Sequence, residues 1–107
     1  MSTFDQREDA FEKRFAHDED LRFKAVARRN KLLGLWAAER LGMTGPDAAA
    51  YAGDVVGAGL EQAGDEGIFR KIRQDFDAAG VARSDHQIRR TMDELLGVAT
   101  EAVRTGD

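Results

Sequence analysis

Ser84-Asp85-His86-Gln87-Ile88-Arg89-Arg90-Thr91-Met92 carries the clearest structural signal in the chain. A serine followed three residues later by glutamine has the form of a capping box. The hydroxyl accepts from the third helical amide while the glutamine reaches back to the cap. Ile88, Met92, Leu95, Ala99 and Ala102 then recur at helical spacing and form one apolar stripe. This predicts a helix over 84–104, with Gly97 as an internal weak point.

Working outward, the preceding helix starts near Asp65, whose carboxylate can cap free amides, and buries Ile68, Phe69, Ile72, Phe76 and Ala79. Gly80 supplies the left-handed residue that ends it. Further back, Thr44-Gly45-Pro46-Asp47 is a stop followed by proline at a first helical position. An alanine-rich helix follows, carrying Tyr51, Val55, Val56 and Leu60. Gly53, Gly57 and Gly59 each weaken it by about 1 kcal/mol against alanine, but they leave room for a neighbour to come close. The glycine-rich run 53–67 lacks the strand-turn-helix context of a phosphate cradle and reads as an inter-helix loop. From Leu21 to Leu41, with Phe23, Val26, Leu32, Leu33, Leu35 and Trp36, apolar side chains point nearly all round the later turns, which predicts a helix at the centre of the bundle.

Composition agrees. The chain has 107 residues, 34% of them charged, and room for one modest core. Strand-favouring residues are sparse beside Ala, Leu, Glu and Arg, so the expected class is all-α. With no cysteine and only two histidines, neither disulfides nor a metal site is indicated. No stretch approaches the roughly 20 apolar residues of a membrane span, and Met1 to Asp5 lacks the features of a signal peptide. A cytoplasmic protein is the expectation. No nucleophile elbow, phosphate loop or paired histidines nominate a catalytic residue, and no cofactor is implied.

Residues 1–20 differ in kind. Apart from Met1, their only large apolar side chains are Phe4, Phe11 and Phe15, spaced by seven and four so as to share one narrow helical stripe. Continuing that phase places Arg22 where the next phenylalanine would fall, with Phe23 off the line. Two readings stand: the stripe folds back on the bundle, or it is kept for a partner. The phase break and the acidic run Asp18-Glu19-Asp20 favour the second. Energetics do too, since each buried phenylalanine contributes roughly 1.5–3 kcal/mol while ordering each backbone residue costs about 1–2 kcal/mol. Three rings cannot order fifteen residues without a preformed groove, and such a segment is expected to be mobile when free and to fold into a partner's cleft. His17, beside three carboxylates, is a candidate pH-sensitive hinge because imidazole titrates near neutrality; an exposed, idle histidine is the plainer alternative.

Arg22, Lys24, Arg28, Arg29 and Lys31 form a basic run, and Arg89-Arg90 are candidates to lie near it. The alternative function is therefore a non-enzymatic adaptor that uses the face around Arg28 and Arg29 to bind an acidic protein or nucleic acid. The formal net charge of -4 speaks against nucleic acid. A small nucleotide-binding domain is the third reading.

The residues from Phe4-Asp5-Gln6-Arg7-Glu8 through Phe11 and Phe15-Ala16-His17-Asp18-Glu19, the run Arg28-Arg29-Asn30-Lys31-Leu32-Leu33-Gly34-Leu35-Trp36-Ala37-Ala38-Glu39, and the later His86-Gln87-Ile88-Arg89-Arg90-Thr91-Met92-Asp93-Glu94 carry a family resemblance. Together they resemble the zeta subunit of alphaproteobacterial F-type ATP synthase, formerly a domain of unknown function. The likeness covers essentially the whole chain, although 53–67 holds more glycine than the family leads one to expect, which leaves the length of the second helix open. The resemblance implies a four-helix bundle over 19–107 and a mobile inhibitory segment over 1–18. That segment enters a catalytic interface of the synthase head and blocks ATP hydrolysis. The implied partners are the alpha, beta and gamma subunits, the implied location is peripheral on the membrane-bound synthase, and weak nucleotide binding stays open. Carried onto this sequence, the partner-binding residues are Phe4, Arg7, Glu8, Phe11, Arg14 and Phe15.

Overall fold

Helix-forming composition and the glycine and proline stops divide the chain into four helices: α1 (Thr3–Arg40), α2 (Gly45–Glu61), α3 (Glu66–Ala79) and α4 (Asp85–Arg104). The computed structural model describes the backbone of residues 3–62 and 64–106 and the side chains of 16–62 and 64–106. There is no strand among the described residues.

The local signals act as expected in the second half. Gln87 N donates to Ser84 Oγ at 3.1 Å and Ser84 N donates to Gln87 Oε1 at 2.8 Å, which completes the capping box. Gly80 ends α3 at φ +71°, a conformation open to glycine without steric penalty. Gly97 lies inside α4 without breaking it. Pro46 occupies the first turn of α2, which continues to Glu61, so the glycine-rich run is mostly helix and the connection to α3 is only 62–65. Leu60 projects to solvent.

The helices run alternately up and down. Gly34 meets Ala52 and Gly59 meets Asn30, so α2 is antiparallel to α1. Tyr51 bonds Asp75 while Gly67 lies against Ala58, which reverses α3 on α2. Arg73 reaches Asp85 and Arg89 reaches Glu66, which reverses α4 on α3. Leu33, Tyr51, Val55, Ile68, Ile72, Phe76, Ile88 and Met92 meet in one core. Trp36 tilts against Phe76 with ring centroids 5.7 Å apart.

Besides the glycine-rich run 53–67, expected as a loop and found mostly helical, two expectations need correction. α1 is not surrounded: it packs on α2 and α4 along a single stripe of Ala25, Arg29, Leu33 and Ala37, with Asn30 and Ala38 beside it. Phe23 is 67% exposed and Leu35 38%. Small residues form much of the buried face, and a count of large apolar side chains alone misplaces it. In addition, the Asp65 side chain does not cap α3 but accepts from Arg29.

Candidate partner-binding surface

The side chains of Phe4, Arg7, Glu8, Phe11, Arg14 and Phe15, nominated as the partner-binding set, lie outside the described residues. What can be located is the junction with the bundle. Ala16, His17, Asp18, Glu19 and Asp20 are all exposed, within an unbroken turn of α1. Among the described residues of that helix, the first fully buried side chain is Ala25. The last turns of α4, with Leu96, Thr100 and Arg104, come alongside Asp18 to Val26 and go no further along α1 among the described residues.

This changes the reason for setting the phenylalanine stripe apart. The phase contrast rested on Phe23 as the start of a buried face, and Phe23 is at the surface. Phe11 precedes Ala25 by fourteen residues, and at 100° each these fall about 40° from a whole number of turns. The stripe is thus nearly in phase with the buried face. Residues 16–20, which link the stripe to the buried face, are exposed and cover no part of the core.

The basic run is also reorganised. Arg29 is 1% exposed. Its Nη2 donates to Asp65 Oδ1 at 2.6 Å and its Nε donates to Asn30 Oδ1 at 2.8 Å. A buried guanidinium needs such partners because desolvation removes its water. The adaptor surface built on Arg28 and Arg29 therefore loses Arg29, whose charge is consumed inside the fold. Arg22 pairs with Glu19 at 3.6 Å and Lys24 with Asp20 at 3.0 Å, while Arg28 and Lys31 are exposed. Arg89 does not join this run. It pairs with Glu66 at 3.0 Å and stacks over Phe69, and Arg90 pairs with Glu94 at 3.0 Å.

Asp65 and Glu66, adjacent at the start of α3, thus hold α1 through Arg29 and α4 through Arg89. Sequence reasoning missed this clasp. The available signal was the position of Arg29 four residues from both Ala25 and Leu33, on the stripe that turns inward. Tyr51 was named only as an apolar residue. Its hydroxyl donates to Asp75 Oδ2 at 2.7 Å, and Lys71 Nζ lies 3.1 Å from the same oxygen. Burial first, then the hydrogen bond and charge of Asp75, push the Tyr51 pKa up.

Among the described residues no helix is long and apolar enough to cross a membrane, and no group of three or more His, Cys, Asp or Glu is placed to hold a metal ion. No curated protein matches the chain. A protein solved by solution NMR is 44% identical, with a TM-score of 0.69, and the match covers 79% of this chain and 96% of that one. The family model described as ATPase inhibitor subunit zeta matches residues 1–102, from the phenylalanine stripe through nearly all of α4. The chain accordingly belongs to the ATPase inhibitor subunit zeta family, a family of regulatory subunits acting on an ATPase.

Proposed function

We propose that this chain inhibits ATP hydrolysis by F-type ATP synthase, with residues 1–18 acting as a mobile helix that becomes ordered at a catalytic alpha/beta interface. Phe4, Phe11 and Phe15 form the apolar anchor. Arg7, Glu8 and Arg14 set the register against the cleft walls and the gamma shaft. Insertion wedges the rotor and involves no bond chemistry, and residues 19–107 remain outside as a helical bundle. His17, exposed at the junction, is the candidate pH-sensitive position. The chain would sit peripherally on the membrane-bound synthase, held by protein contacts.

The supporting observation is that the family match includes the N-terminal segment, while residues 16–20, where it joins the bundle, are exposed and cover no part of the core. A segment with one narrow apolar stripe, joined to its bundle through exposed turns, suits a preformed groove. The test compares ATP hydrolysis by the synthase with the full chain, with Phe11→Ala, and with a chain beginning at Asp18. The full chain is expected to inhibit and the shortened chain to be inactive. Phe11→Ala should raise the half-inhibitory concentration roughly 30-fold, corresponding to about 2 kcal/mol for a buried anchor. Equal inhibition by all three would overturn the reading.

A further inference from the structure

With Arg29 removed from it, three of the four remaining cations of the basic run line one surface. Lys24, Arg28 and Lys31 stand along a groove of about 670 Å³. Leu21, Leu32, Leu35 and Val103 supply its apolar lining. The α1 positions at 21, 24, 28, 31 and 35 advance by three, four, three and four residues, the spacing at which one helix presents a seam to another. Neither α2 nor α4 covers this seam fully, since Leu35 remains 38% exposed and Leu21 and Leu32 are half-buried. Its fifteen residues, 21–35, span about 21 Å, close to the length of four turns of helix.

We propose that this groove docks an acidic amphipathic helix of the synthase and so tethers the bundle beside the site where the N-terminal segment inserts. The inference rests on the inhibitor reading and adds a second, separate contact to it. Charge complementarity selects the occupant, because three cations lie within two turns and none of the described lining residues is acidic. Lys24 pairs with Asp20, but both side chains are more than half exposed, and a partner's carboxylate can replace such a pair at little cost. Leu21, Leu32, Leu35 and Val103 demand an apolar edge on the incoming helix, with glutamates or aspartates flanking it. A second groove, of about 600 Å³, contains Asp18 together with Arg22 and Arg104, and its mixed charge selects no partner. The exposed Phe23, Leu60 and Val98 line neither groove.

The test follows backbone amide shifts of the full chain as two helical peptides are added. One repeats leucine and glutamate in heptads, and the other carries lysine in place of glutamate. The glutamate peptide should move Leu21, Lys24, Leu32, Leu35 and Val103, and the lysine peptide should move none of them. Lys24→Glu with Lys31→Glu should reverse that preference, with unchanged Ile72 and Ile88 amides showing an intact core. The same double variant should bind the synthase head at least tenfold more weakly than the parent chain. Equal responses to both peptides, shifts gathered elsewhere, or displacement of the glutamate peptide by oligothymidylate or by anionic phospholipid vesicles would overturn the proposal. If the peptides behave as expected but Phe11→Ala inhibits as well as the parent chain, the inhibitor reading fails and the groove stands. If Phe11→Ala loses inhibition while the peptides show no preference, the docking inference alone fails.

Discussion

Tyr51 is the single tyrosine of the chain, so phenolate absorbance reads one site. Its hydroxyl is bonded to an ionised carboxylate and largely shut from water, and both effects penalise the phenolate. The folded pKa therefore lies above the unfolded value of about 10. A raised pKa means that the fold retains the proton, so the associated stability is complete below about pH 10 and is lost as pH rises toward the folded value. Titration at 295 nm should show almost no phenolate in the native protein at pH 11, where the urea-unfolded chain is about nine-tenths ionised. Half-ionisation of the native protein near pH 10 would contradict the Asp75 contact. The same residue shows where sequence reading stops. Its membership of the core was legible from helical spacing with Val55, but a partner 24 positions away was not. Arg29 was less legible still, since in a run of cations only its phase distinguishes it from Arg28.

At the scale of the helices, contact between α1 and α2 depends on Gly34. A Cβ placed there would stand 2.6 Å from the Cα of Ala52, backbone that can give way only if the whole helix moves. Gly34→Ala should destabilise the bundle by about 1–3 kcal/mol from overpacking, against a gain of at most about 1 kcal/mol in helix propensity. Gly53, one residue beyond Ala52 but with nothing near its would-be Cβ, should behave oppositely: Gly53→Ala stabilises by up to about 1 kcal/mol. Urea unfolding of the two variants checks both signs, and a stabilised Gly34→Ala would refute the close approach. Helix ends were legible because their chemistry is local: the Ser84-Gln87 box and Gly80 need only adjacent residues. The buried face of α1 was not, because Ala25, Gly34, Ala37 and Ala38 mark it by smallness and need α2 and α4 to give that smallness meaning. The expectation that small residues on α2 admit a neighbour held at Gly59, beside Asn30 and Ile68, but not at Gly53 or Gly57.

Across the whole molecule, the all-helical bundle was readable from composition and punctuation, whereas the basic-edged groove was not, because it depends on where α4 ends along α1. That same end point divides the molecule in its energetics. If the phenylalanine stripe packed on its own bundle, removing residues 1–17 would forfeit three buried rings, about 4–9 kcal/mol and a large share of the 5–15 kcal/mol that stabilises an ordinary domain. If the stripe is held for a partner, the deletion ends within an exposed turn, eight positions before Ala25, the first buried side chain described on α1. The second outcome is expected: loss of inhibition with less than about 1 kcal/mol of lost stability, and a urea slope almost unchanged because the slope follows the surface exposed on unfolding. A drop of several kcal/mol, with a smaller slope, would place the rings against their own bundle and leave the synthase cleft without its anchor.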